Sequence, residues 1–260
     1  MSLSRSYAWS ALLLLTPAEM VVAAPPDRDT LQRELLRADT EKRLEAAIML
    51  LNEFDPEHKD ALSVLRAGLC RNTPRRSDDV VALARHNPAV VKLLLETCAD
   101  REVETDVRIR VLCELKPLGL VAKEGIPQLI GCLDESPEIG QYAAEVLGSM
   151  KGEAKAAIPT LEKQVKQDRT PRWQIDRRVA TRARMLLQID PSNKVAISYL
   201  TRQLKGWSYE QRSAGVSGLR DCPMLPPEAL QELQRIAQKD DYEFLRAEAR
   251  TILEKHKAPK

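Results

Sequence analysis

Gly125-Ile126-Pro127-Gln128-Leu129 and Ala157-Ile158-Pro159-Thr160-Leu161 are one pattern written twice, 32 residues apart. Just upstream of each, Val111-Leu112-Cys113-Glu114-Leu115 and Ala143-Ala144-Glu145-Val146-Leu147 repeat at the same offset of 32. A shared offset for two separate apolar segments means that the unit of repetition is a pair of helices. Pro costs little in the first turn of a helix, where its missing N–H would have no partner anyway. Pro127 and Pro159 therefore mark helix starts or kinks. Small residues such as Ala143, Ala144, Ala156 and Ala157 let neighbouring helices approach closely, while Leu and Ile at i, i+3, i+4 and i+7 complete a core stripe. One such pair cannot bury its apolar face alone, so the pairs must stack.

The pattern continues toward the C-terminus. Ala196-Ile197-Ser198-Tyr199-Leu200 follows the Ile-Pro segment after 39 residues, and Ala229-Leu230-Gln231-Glu232-Leu233 after a further 33. Ala183-Arg184-Met185-Leu186 and Ala214-Gly215-Val216-Ser217-Gly218-Leu219 continue the other helix, and Arg246 to Leu253 begins one more copy. The longer step of 39 contains an insertion, Gln167-Asp168-Arg169-Thr170-Pro171-Arg172. Periods of this size predict an all-α solenoid of five to six antiparallel helix pairs.

These residues resemble HEAT repeats. The resemblance rests on the Ala-Ile-Pro-x-Leu of the second helix, the Ala-x-x-Leu-Gly of the first, and the acidic turns Asp134-Glu135-Ser136-Pro137 and Asp240-Asp241-Tyr242. It is clearest from Val103 to Asp168, thinner from Trp173 to His256, and faint before residue 100. The chain departs from the family pattern at Ser198 and Gln231, where the Pro is missing, and at Gln141, where HEAT repeats often carry Arg. The resemblance implies an α-solenoid that binds other molecules. It implies no single partner or reaction.

The organisation expected from the N-terminus onward has three parts. Residues 1–24 read as a signal peptide: Arg5 supplies the charge, Ala8 to Leu15 the apolar run, and Val22-Ala23-Ala24 the small residues before cleavage. The run is shorter than the ~20 residues that span a bilayer. The expectation is an exported, periplasmic or secreted protein, with an uncleaved membrane anchor as the alternative. Residues 25–100 read as an irregular N-terminal helical cap, with one helix over residues 30–54 that ends at Asp55-Pro56 and a partner over Ala61 to Cys70. Residues 101–257 read as the repeat domain, with helices over Trp173 to Ile189, from Asn193 to Lys205, from Ser208 to Arg220, from Pro227, and over Tyr242 to His256.

Composition narrows the function classes. Aromatics are 4% and Gly only 10 of 260 residues, which disfavours β architectures rich in aromatic strands and Gly turns. The net charge of +2 gives no global bias toward nucleic acid. The histidines, His58, His86 and His256, are far apart, and no H-E-x-x-H, G-x-S-x-G, Walker-type or G-x-G-x-x-G motif occurs. The expectation is no catalytic, cofactor-binding or metal-binding residue and no enzyme. Four of the cysteines Cys70, Cys98, Cys113, Cys132 and Cys222 fall within apolar helical patterns, where Cys packs as a small hydrophobe. Cys113 and Cys132 lie on the two helices of one repeat, as core thiols or as a bridge.

One stretch stands above background. From Lys163 to Arg184 there are eight cations and two acids, Asp168 and Asp176. Arg172, Trp173, Arg177, Arg178 and Arg182 are the candidate partner-binding residues, because Arg with Trp is the composition of interface hot spots. Trp207 with Tyr209 opens a helix further on. A solvated basic face is the plain alternative. The leading expectation is a non-enzymatic exported scaffold that binds a protein or peptide without a cofactor. The second is binding of nucleic acid or another anionic polymer through residues 163–184, and the third a repeat-built, lyase-type maturation factor.

Overall fold

The computed structural model describes residues 26–37, 39–70, 77–171 and 174–257. The expected signal peptide lies outside the described residues, as do Arg172 and Trp173. Helices α1 (Arg28–Leu35), α2 (Thr40–Met49), α3 (Lys59–Cys70), α4 (Ser77–Ala84), α5 (Pro88–Ala99), α6 (Thr105–Leu115), α7 (Ile126–Cys132), α8 (Pro137–Ser149), α9 (Ile158–Lys166), α10 (Arg177–Ile189), α11 (Lys194–Leu204), α12 (Tyr209–Leu219), α13 (Pro227–Lys239) and α14 (Glu243–Lys257) make up the fold. No strand occurs among the described residues.

In chain order the helices form the repeating units α2/α3, α4/α5, α6/α7, α8/α9, α10/α11 and α12/α13, flanked by the single helices α1 and α14, and each unit packs on the next. First helices stack on first helices, in the order α2, α4, α6, α8, α10, α12, α14. Second helices stack likewise, α3 on α5 on α7 and α9 on α11 on α13. This is an α-solenoid, and its core runs continuously from Leu31 to Leu253. The pairing extends into residues 25–100, and the irregularity expected there resides in the short α1 and α4 and in a π-helical turn over Leu50–Phe54.

Local sequence fixes the helix ends. Pro127 and Pro159 sit in the first turns of α7 and α9, each preceded by a 3₁₀ segment, Lys116–Gly125 and Lys151–Ala157. Gly119 occupies the left-handed region at φ 52°, where a side chain would be strained. Ser208 and Gln211 form a reciprocal capping box at the start of α12, and Asn193 caps α11. Two expectations need correction. The helix read over residues 30–54 is divided between α1 and α2, because the Asp39 carboxylate caps Glu41 and Lys42 and starts a new helix. The helix read from Trp173 begins at Arg177, because Asp176 caps it by accepting from the Arg178 N–H at 2.8 Å.

Polar contacts repeat with the stack. Buried Arg108 donates to the Cys98 carbonyl in the last turn of α5 (2.7 Å) and pairs with Glu135 in the next repeat (2.6 Å). Buried Arg212 donates to the carbonyls of Gly206 and Trp207 before its helix and pairs with Asp240 in the next repeat (2.5 Å). Each guanidinium ties a turn to the repeat that follows. Arg220 and Glu248 pair across neighbouring first helices as well.

Candidate functional site

A cavity of about 1020 Å³ lies on the second-helix side along α11. Lys194, Ile197, Ser198, Thr201, Arg202 and Lys205 line it. Their spacing of three and four places them on one face of the helix. At 1.5 Å per residue this floor is about 16 Å long. The insertion supplies one wall, with Asp168, Thr170, Pro171 and Gln174, and the turn before α13 supplies the other, with Pro223, Met224, Leu225 and Pro226.

Hydrogen bonds hold these walls in place. The Gln211 side chain accepts from the backbone N–H groups of Trp207 (3.1 Å) and Ser208 (3.3 Å) and donates to the Gln174 carbonyl (3.0 Å). One side chain therefore pins the Trp207 turn to the insertion. A Cβ on Gly206 would stand 2.2 Å from Gln211 Cβ, so the close approach requires glycine. Asp168 accepts from the Thr170 N–H (2.9 Å) and pairs with Arg202 (3.3 Å), whose guanidinium lies 4.9 Å from the centre of the Tyr199 ring. On the far wall the Cys222 thiol donates to the Met224 carbonyl (3.2 Å). Lys205 pairs with Glu228 at 2.5 Å across the groove, and the carboxylate holds its pKa above the ordinary value.

The surface so held is apolar at its rim and cationic at one end. Trp207 is 90% exposed and Met224 72%, the two most exposed large apolar side chains of the groove. Asp168 and Glu228 match Arg202 and Lys205, which leaves Lys194, at the α11 N-terminus, as the groove cation without an ion-pair partner among the described residues. The helix dipole adds to the positive potential there.

The candidates taken from the basic stretch are divided by the fold. Arg177 is exposed on α10 and lines, with Arg184 and Tyr209, a hollow of about 240 Å³ between the first helices α10 and α12. Arg178 pairs with Asp176 (3.5 Å) and Glu138 (3.7 Å). Arg182 is half-buried, and its Nη2 lies 3.1 Å from where a Cβ on Gly140 would stand. Burial lowers its pKa, and its Nε has no hydrogen-bond partner in the described structure. These arginines belong to the first-helix side, so the fold does not bring them to the groove. The insertion reaches the groove and the basic helix does not. Trp207 and the prolines of residues 223–227 were the available signals in the sequence. Cys113 is exposed, not a core thiol, while Cys98, Cys132 and Cys222 are buried and all five are unbridged.

No group of three or more potential metal-ligating side chains occurs among the described residues. No helix among them is long and apolar enough to cross a membrane.

No family model matches the chain, and no curated protein matches it. Among solved structures it is similar to the complex of CpcE and CpcF of phycocyanin lyase from Nostoc sp. PCC7120. Identity is 20%, 94% of this chain and 92% of that chain are covered, and the TM-score is 0.46. The similar structure is that of a lyase, and the expectation of a protein that is not an enzyme is withdrawn. The sequence motifs whose absence supported that expectation are not the only route to catalysis, since residues distant in sequence converge in a stack. At this degree of likeness no activity passes from one protein to the other.

Proposed function

We propose that this is a HEAT-like repeat protein that captures an extended segment of a partner polypeptide in the groove along α11. The observation that carries the reading is the pinned, 90% exposed Trp207 at the rim of a cavity of about 1020 Å³. An indole buries about 200 Å² when covered, worth roughly 4–5 kcal/mol before ordering costs. The Gln211 contacts fix the turn in advance, which reduces the ordering cost on the protein side. A floor of about 16 Å accommodates about five residues of extended chain. An aliphatic or proline side chain fits against Trp207 and Met224, and an acidic side chain fits Lys194. From the leader over residues 1–24 we further propose that the encounter takes place outside the cytoplasm.

Selection of a random peptide library on the full chain tests the reading. The expected outcome is enrichment of sequences that combine an acidic residue with proline or an aliphatic residue, lost on Trp207→Ala and retained on Arg177→Glu with Arg178→Glu. Peptides that bind the Trp207→Ala chain equally well, or that depend on Arg177 and Arg178, place the site in the first-helix hollow instead.

A further inference from the structure

Cys98 and Cys132 sit where the N-terminal pairs meet the regular repeats. Cys98 lies in the last turn of α5 and Cys132 ends α7, two second helices that stack on each other. Both side chains are buried, at 0% and 1% exposure. The Cys132 thiol donates to the Cys98 carbonyl oxygen (3.8 Å) and the Cys98 thiol to the Leu95 carbonyl oxygen (3.2 Å), and the two thiols lie close enough to influence each other's ionisation. Cys70 and Cys113 are exposed, and Cys222 lies against the Pro191 and Met224 carbonyls. Cys98 and Cys132 are thus the pair of thiols that the described fold brings together.

We propose that Cys98 and Cys132 form a disulfide that staples α5 to α7, made by exchange with an oxidised dithiol or glutathione disulfide while the chain folds. The burial of both sulfurs places the exchange late in folding, when α5 and α7 already lie side by side but are not yet fully covered. The surroundings favour Cys132 as the first nucleophile. The adjacent Cys98 thiol lowers the Cys132 pKa, against the opposing effects of burial and Glu135, and Arg108 lowers it further. The same proximity of the two thiols, followed by burial, raises that of Cys98. Thiolate is the attacking form of cysteine.

The exchange balances in two steps. The Cys132 thiolate attacks one sulfur of the glutathione disulfide, forming a mixed disulfide and expelling one glutathione thiolate. The Cys98 sulfur, on losing its proton, then attacks the Cys132 sulfur and expels the second. The protein loses two electrons and two protons, and the glutathione disulfide is reduced to two thiols.

The test is to refold the full chain with oxidised glutathione, alkylate under denaturing conditions, digest with trypsin without reduction, and map by mass. The expected product joins residues 93–101 to residues 124–151, with Cys113 alkylated. The oxidised chain should melt about 5–10 °C above the reduced chain, as the entropy of a crosslinked unfolded state requires. Cys98→Ala or Cys132→Ala should abolish that difference, and Cys113→Ser should preserve it. Full alkylation of Cys98 and Cys132, linkage of either to another cysteine, or an oxidised form that melts lower would each overturn the proposal.

Discussion

The α8/α9 pair and the region from Asp168 to Glu228 are built from the same helical unit and put their residues to different use. In α8, Ile139, Ala143, Ala144, Val146 and Leu147 are all buried, and the first helices α6 and α10 cover it on both sides. A residue that packs on both neighbours has nothing left to offer a ligand. After Asp168 the period lengthens, and the insertion, the Trp207 turn and the proline turn at residues 223–227 leave the second helix α11 exposed on one face. A recess in a solenoid is made where the regular step is interrupted, and the regular step is what makes the recess rigid.

The difference is sharpest in stability. Arg212→Ala leaves Asp240, whose side chain is 1% exposed, as an uncompensated buried charge, and should cost about 3–5 kcal/mol in urea denaturation. Acid should act on the same contact. Burial raises the Asp240 pKa, but the Arg212 guanidinium and the Tyr242 N–H more than offset this and hold it below 3.8. A carboxylate depressed in the folded state contributes stability that is present above its unfolded pKa and lost as pH falls through the folded value. Denaturation midpoints of the parent chain should therefore fall below about pH 4 through this contact, and those of the Arg212→Ala chain should respond less. An equal acid response in both chains would remove Asp240 from the account.

A smaller loss is expected inside the regular repeat. A Cβ at Gly140 would stand 2.4 Å from the Leu133 carbonyl oxygen, a backbone atom that cannot turn aside. Gly140→Ala should cost about 1–3 kcal/mol. It should also move Arg182, which packs over the same glycine, and a thermal midpoint unchanged within error would show that α8 and α10 are less closely packed than described.

Much of the fold was legible in the sequence because burial and helical period determine it directly. Two shared offsets of 32 residues identified the paired helices, and Pro127, Pro159, Asn193, Ser208 and Pro227 marked ends that the structure retains. The groove was legible only in part. Composition drew attention to Arg177, Arg178 and Arg182, but which side of the stack a helix faces depends on every pair before it. Gln211 carried no signal, since its role depends on Gln174, which lies 37 positions earlier and meets it only in the folded stack. The meeting of Cys98 with Cys132 was hidden for the same reason, because spacing within one repeat pointed to Cys113.

Stability effects should be least at the groove rim, where effects on binding should be greatest. Trp207→Ala removes a side chain that is 90% exposed and should change stability by less than about 0.5 kcal/mol. Titration of a library-selected peptide into the parent and the Trp207→Ala chains, both shown to be folded by their melting curves, tests the central claim most directly. The structure predicts at least a tenfold rise in Kd, about 1.4 kcal/mol, with the melting temperature unchanged. Equal affinity in the two folded chains would contradict the assignment of the groove along α11 as the binding site.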